Sequence, residues 1–196
     1  MKILLATSNK NKIREIREMT QGSGIEVLSP ADLNISLDVE ETGTTFAENA
    51  AIKAEALRDI AGLTVIADDS GLEIDFFDGG PGVYSSRFMG EDTSYDIKNS
   101  AILEKMKDVP EEKRGARFRC AMALARPGFE TEIYEGTFEG IIGYEIKGEN
   151  GFGYDPIFFV PERGMSSAEM TPEEKNAVSH RGTALRKTVK RLMELS

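Results

Sequence analysis

Three features of the sequence predict an α/β protein built on a mixed β-sheet. Short apolar runs alternate with amphipathic helical stretches over the first half of the chain, as in strand–helix–strand units. Two long segments of alternating polarity flank a Pro127-Gly128 turn in the second half, as in an antiparallel hairpin. The length, 196 residues with 40% hydrophobic, suits one substantial core, even one folded as two lobes, but not two independent domains.

The elements follow in order. Lys2 to Ala6 reads as a short buried strand, and Asn9 to Met19 as a helix with Ile13, Ile16 and Met19 at helical spacing. A second strand, Ile25 to Leu28, precedes an irregular acidic stretch through Glu41. Thr45 followed by Glu48 is a capping-box signal, after which Phe46, Ala50, Ala54, Leu57 and Ala61 form one apolar stripe. Leu63 to Ala67 is a strand expected to end abruptly at Asp68-Asp69-Ser70-Gly71, with Leu72 to Phe76 continuing the sheet. Gly79 to Gly82 is a loop, and Ser94 to Lys107 a helix. Arg117 to Ala125 and Glu130 to Ile142 are the hairpin strands, followed by a glycine-rich loop, Gly148 to Gly153, and a strand from Pro156 to Val160. Glu173 to Val178 and Arg181 to Leu195 close the chain as helices.

Charge narrows the function classes. The net charge is −10 and no basic block exceeds a few residues, so bulk nucleic acid is not an expected partner. No stretch approaches the roughly 20 apolar residues of a spanning helix, so no membrane is expected and a cytoplasmic location is. One histidine and one cysteine nearly rule out a zinc site. Any metal should be held by carboxylates, which suits magnesium.

Four segments could carry chemistry. Thr7-Ser8-Asn9-Lys10-Asn11-Lys12 joins a buried strand to a helix, where free N–H groups and lysines favour an anion. Ordinary N-capping by Ser8 or Asn9 explains the same residues equally well. Asp68-Asp69 lies at a strand's carboxyl end, where α/β folds gather ligands. Successive strand residues point to opposite sides, so one of the two aspartates is expected to face a ligand, unless the segment is a turn in which both carboxylates merely cap and solvate. Glu40-Glu41 is the obvious second source of metal oxygens, though a solvated loop charge pair is the better reading until something links it to Asp69. Gly151-Phe152-Gly153-Tyr154-Asp155-Pro156 could let a flat ligand approach the backbone, with Asp155 as acceptor, or could be a turn with core aromatics. Last, Lys175 and Ser179-His180-Arg181 offer donors. Ser179 and His180 are sequence neighbours that do not face each other on a helix, which argues against a serine dyad.

Together these segments resemble the inosine/xanthosine triphosphate pyrophosphatase family, with the match running in order along nearly the whole chain. It passes through Thr7 to Lys12, Glu40-Glu41-Thr42-Gly43, Phe46-Ala47-Glu48-Asn49-Ala50 and Ala67-Asp68-Asp69-Ser70-Gly71-Leu72. It continues through Pro81-Gly82-Val83-Tyr84-Ser85-Ser86-Arg87, Gly151 to Pro156, Glu174-Lys175-Asn176 and Ser179-His180-Arg181-Gly182. Ser8 departs from the glycine that many members carry.

The resemblance implies a long central mixed sheet with flanking helices, and two lobes around an active-site cleft, within a single domain spanning residues 1–196. It also implies a homodimer, a magnesium ion, and hydrolysis of deaminated purine nucleoside triphosphates to the monophosphate and pyrophosphate. Thr7, Ser8, Asn9, Lys10, Asn11, Lys12 and Lys53 are then expected to hold the triphosphate. Glu40 and Asp69 serve the metal, Asp69 doubles as the base that activates water, and Ser70 touches the substrate. Phe152, Gly153, Tyr154, Asp155, Lys175, His180 and Arg181 surround the purine. Hypoxanthine and xanthine carry an acceptor at O6 and a proton on N1, a pattern that donors from His180 and Arg181 and an acceptor on Asp155 would fit. Two other readings stay open: hydrolysis of other modified nucleoside triphosphates, and a sensor that binds without turnover.

Overall fold

The computed structural model describes residues 1–36 and 39–195. Residues 37 and 38, within the acidic stretch expected to be irregular, lie outside them. Among the described residues, seven strands form one mixed sheet: β1 (Lys2–Leu5), β2 (Glu26–Leu28), β3 (Val65–Ile74), β4 (Gly115–Ala125), β5 (Glu132–Ile142), β6 (Phe158–Val160) and β7 (Met165–Ser166). Their order across the sheet is β2-β1-β3-β4-β5-β6-β7. β1 runs parallel to both β2 and β3, whereas β6 is antiparallel to β5 and to β7. The described residues also form the α-helices α1 (Lys10–Thr20), α2 (Phe46–Ala61), α3 (Tyr95–Lys105), α4 (Pro172–Val178) and α5 (His180–Glu194).

Local chemistry sets the helix boundaries. Asn9 caps α1, its side chain accepting from the backbone N–H groups of Asn11 and Lys12 at 3.0 and 3.3 Å. Thr45 and Glu48 close a reciprocal capping box on α2, and Gly62 ends that helix in the left-handed region at φ 64°. Thr171 and Glu174 make the same box on α4, with Pro172 in the first turn. Ser179 is extended at ψ 157°, which breaks α4 from α5 and lets His180 open a new helix.

Two departures from expectation matter for the site. β3 is one ten-residue strand that runs straight through Asp68 to Gly71 instead of stopping there. Its parallel neighbour β1 pairs only as far as Leu5 opposite Ile66, so Asp68 and Asp69 lie where β3 outruns β1. The carboxyl-end position expected of them is thus created by the neighbour ending, not by β3 ending. Pro156 sits in a tight turn, Asp155–Ile157, and the strand begins at Phe158; the short β7 after it was not anticipated.

The chain divides into two compact units. One comprises Met1–Asp69, Cys120–Gly136 and His180–Ser196, the other Ser70–Arg119 and Thr137–Ser179. The first has a core of Ile3, Leu5, Ile16, Ile66, Cys120, Met122, Leu124, Leu185 and Leu192. The second has Leu72, Ile74, Ile102, Met106, Phe118, Phe138, Ile142 and Phe158. Each fully buried aliphatic or aromatic side chain contributes about 1.5–3 kcal/mol. Because the chain passes between units after Asp69, Arg119, Gly136 and Ser179, no linker composition marks a boundary in the sequence.

Candidate active site

In the first unit, the alternation of β3 sends its two aspartates to different partners. Asp68 is fully buried, with Oδ2 2.9 Å from Lys12 Nζ and 3.2 Å from Arg181 Nε. The Arg181 guanidinium also grips Glu15 through Nη1. Burial alone would raise the Asp68 pKa, but the Lys12, Arg181 and Lys53 charges outweigh it and hold the carboxyl well below its ordinary value. Arg181, buried beside two carboxylates, is held above its ordinary value for the reciprocal reason.

Asp69 belongs to another set. Its Oδ2 accepts from Asn49 Nδ2 at 3.2 Å, and its Oδ1 lies 3.8 Å from Lys53 Nζ. Lys53 in turn donates to Glu41 Oε1 at 2.7 Å and to the Asp68 backbone carbonyl at 2.9 Å. Burial raises the Asp69 pKa, and the nearby Glu41 charge adds to it, against Lys53 and Lys12. Lys53 is raised although burial opposes it, because Asp69, Asp68 and Glu41 surround it. A carboxyl shifted up yet flanked by ammonium groups is suited to accept a proton from water.

Asn49 also orders the approach to this pair. Its Oδ1 accepts from the Gly43 N–H at 2.8 Å, fixing the Glu41–Gly43 loop on the first turn of α2. Glu41 thereby reaches Lys53, while Glu40, the residue expected to share the metal, is exposed. Within the first unit four carboxylates (Glu15, Glu41, Asp68, Asp69) face three cations (Lys12, Lys53, Arg181). A cluster with that balance needs added positive charge to hold a triphosphate. Among the described residues no three His, Cys, Asp or Glu gather to hold a metal. Asp69 and Glu41 instead offer a pair of hard oxygen ligands, which fits magnesium, an ion commonly bound by one or two carboxylates plus substrate phosphates.

The approach segment is more exposed. Ser8, Asn9 and Lys10 face solvent and Thr7, Asn11 and Lys12 are half-buried. Asn9 is already used as the cap of α1 and receives a contact from Thr7, whose Oγ1 accepts its N–H at 3.2 Å. At the start of α5, a Cβ on Gly136 would lie 2.1 Å from the His180 carbonyl oxygen, so β5 and α5 approach as closely as backbones can. That strand glycine is the local signal for where His180 sits.

The second unit holds the other expected cluster. Asp155 is buried, and its Oδ2 accepts from Lys175 Nζ at 2.6 Å and from the Phe152 N–H at 2.8 Å. Its Oδ1 accepts from Ser167 Oγ at 2.7 Å. Lys175 lies 5.3 Å from the centre of the Phe152 ring. Gly151, at φ 73°, wraps so tightly that a Cβ there would stand 2.2 Å from Asp155 Oδ2. Tyr154 is buried, with its hydroxyl on the Ser85 carbonyl at 2.7 Å, and Ser70 is half-buried beside Asp69 in the chain.

The chain as a whole is similar to known proteins. The Ham1 family profile matches residues 3–191. This chain belongs to the Ham1 family. A dITP/XTP pyrophosphatase of Exiguobacterium sibiricum is 50% identical over 187 residues, covering 95% of this chain and 94% of the relative. One from Listeria monocytogenes is 46% identical over 194 residues, covering 99% and 96%. The solved Ham1 protein of Coxiella burnetii superposes with a TM-score of 0.89 at 40% identity over 99% of each chain. That of Staphylococcus aureus gives 0.89 at 38% identity over the whole of both. In this Ham1-family chain, Lys12, Lys53, Asp69 and Arg181 come together in the first unit, and Phe152 to Asp155 with Lys175 in the second. Sequence reasoning did not single out Glu15 or Ser167, and it quoted Asn49 only within a motif, with no role. Glu15 had a readable signal, since it lies three residues after Lys12 on one face of α1.

Proposed function

We propose that this chain hydrolyses deaminated purine nucleoside triphosphates, ITP, dITP and XTP, to the monophosphate and pyrophosphate. The observation that carries the proposal is Asp69, a buried carboxyl raised in pKa and set among Lys53, Asn49 and Glu41. Its support from outside the chain is the name dITP/XTP pyrophosphatase borne by relatives up to 50% identical.

Asp69 takes a proton from water as the water oxygen attacks the α-phosphorus. The bond from that phosphorus to the bridging oxygen breaks, and pyrophosphate leaves with the bond's electrons. A positioned base of this kind is worth about 10²–10⁴-fold. Asn49 and Lys53 fix the carboxylate, while Lys12 and Lys53 meet phosphate charge. Thr7, Ser8, Lys10 and Asn11 flank the path of the phosphates. Magnesium, when bound, neutralises phosphate oxygens and sharpens the electrophile. Asp69 and Glu41 are the residues we assign to it; Glu40 was the sequence-based choice, and its exposure favours its neighbour.

For the purine we assign Lys175, oriented by Asp155, as the donor to O6, and Phe152 as the surface against which the ring lies. Arg181 was expected to be that donor. Its bonds to Asp68 and Glu15 support instead a role in holding Asp68, with His180 placing the first turn of α5. The chain is further proposed to work as a homodimer in the cytoplasm. No helix among the described residues is long and apolar enough to cross a membrane.

The test is a panel of nucleoside triphosphates with magnesium, scored for pyrophosphate against orthophosphate. ITP or XTP should give pyrophosphate far faster than ATP does. Orthophosphate as the primary product overturns the reaction, and comparable rates on ATP overturn the selectivity.

A further inference from the structure

α3 is a helix with no place in the chemistry assigned above, yet its side chains hold the loop that does have one. Arg114 fastens its far end, donating to the carbonyls of Met106 at 2.5 Å and Val109 at 3.1 Å. From its first turn, Tyr95 packs edge-on against Tyr154 at 5.1 Å and stands 3.6 Å from where a Gly153 Cβ would be. The next turn presents two consecutive polar residues. Lys98 Nζ donates to the Ser86 carbonyl at 2.6 Å, and Asn99 Nδ2 to the Gly153 carbonyl at 3.0 Å.

Asn99 is unusual among these. It is 1% exposed, and its Oδ1 has no hydrogen-bond partner among the described residues. A buried acceptor left unpaired destabilises the fold, and a leucine of similar shape would avoid the penalty. The amide's bond to the half-buried Gly153 carbonyl is thus offset by its own orphaned acceptor, and net stability is a weak reason for it. Its one bond goes to Gly153, a glycine at φ 72° between Phe152 and the Tyr154-Asp155 pair. A peptide held at that carbonyl sets the direction of the Phe152 ring and of the Asp155 carboxylate on which Lys175 rests.

We infer that Asn99 is a positioning residue for purine selectivity: its amide orients the Gly151–Asp155 loop so that Phe152 and the Asp155–Lys175 pair meet the base. The inference rests on the proposed function and adds to it a residue that touches no substrate. Displacing reacting or recognising groups by about 1 Å costs up to 10²-fold in rate constants. Loss of one loop anchor, with Tyr95 and the Tyr154 hydroxyl still in place, should cost about tenfold.

The experiment compares wild type with Asn99→Leu and Asn99→Asp on ITP and ATP, together with melting curves. Asn99→Leu removes both the anchor and the orphaned acceptor. KM for ITP should rise about tenfold with kcat within about twofold, KM for ATP should change little, and Tm should stay close to wild type, because the orphaned acceptor is removed while the Gly153 carbonyl loses its donor. Asn99→Asp keeps the shape and turns an acceptor toward Gly153, and should raise KM for ITP at least as much. It keeps the test open if the leucine variant does not fold. An unchanged ITP/ATP ratio of kcat/KM in a folded variant overturns the inference, as does a fall in both substrates that tracks a fall in Tm. If wild type itself shows no preference for ITP, the proposed function has failed. If wild type discriminates and both variants match it, only the role of Asn99 has failed.

Discussion

Asp68 and Asp69 are adjacent in one strand and share a backbone, yet they live in different surroundings. Asp68 is fully enclosed by Lys12 and Arg181, with Arg181 further tied to Glu15. Asp69 meets Asn49 at 3.2 Å and Lys53 at 3.8 Å, a looser cage opened toward the Glu41 loop. The first carboxyl is driven below its ordinary pKa by cations that outweigh burial; the second is driven above it by burial and a neighbouring glutamate. A one-residue step along a strand thus separates a carboxylate locked between cations from the one we propose as the base. The strand's alternation makes the separation, and the helices on either hand supply the partners.

The largest effect expected from breaking this comparison is at Asp68. Asp68→Asn leaves the half-buried Lys12 and the buried Arg181 against a neutral amide, and removing one partner of a buried ion pair costs about 3–5 kcal/mol. Chemical denaturation should record that loss. Because the folded pKa is lowered, the Asp68 contribution is complete above the ordinary carboxylate range and is lost as pH falls through the folded value. The wild-type melting temperature should therefore drop more steeply in acid than that of Asp68→Asn. Equal slopes would mean that the cluster does not depend on this charge.

Asp69→Asn should be smaller in stability and larger in function. Turnover of ITP should fall by at least about 10²-fold, the low end for a lost general base and about 2.7 kcal/mol of barrier. The melting curve should barely move, since the amide keeps the contact with Asn49. If Asp68→Asn, corrected for its folded fraction, loses more turnover than Asp69→Asn, the base has been placed on the wrong aspartate.

The smallest contrast lies one step further out. Glu41→Gln should weaken magnesium dependence by about tenfold in the half-saturating concentration, because it removes one of two hard ligands. Glu40→Gln should leave it within about twofold. A magnesium titration of activity decides between them, and the reverse order would return the metal to Glu40.

How much of this the sequence carries depends on the range of each interaction. The capping boxes at Thr45/Glu48 and Thr171/Glu174 span three residues, and the first of them was read directly from the sequence. The α/β class and the parallel-then-hairpin order followed from periodicity, which is equally local. The run of β3 through Asp68 to Gly71 was missed, because two aspartates and a glycine signal a turn unless a neighbouring strand accepts them. Arg181 could not be tied to Glu15, 166 residues away, by any pattern of spacing. Its donor chemistry was plain in the sequence, but the carboxylates that use it are set by packing. The proposed choice of Glu41 over Glu40 likewise rests on a contact that spacing does not reveal, the Asn49 side chain accepting from the Gly43 N–H.

The buried thiol next to this network has a practical use. Cys120 is the chain's single cysteine, 2% exposed in the first unit's core, and burial, with the Asp68 charge adding, pushes its pKa up to about 12. Thiol reagents are attacked by the thiolate, so the native protein should be nearly inert to them until that core opens. Labelling at this one position, followed by mass, becomes a clock for local opening, with no introduced probe. Asp68→Asn should make the clock run faster and Asp69→Asn should leave it at the wild-type rate, separating the two aspartates in protein that has never been given a substrate.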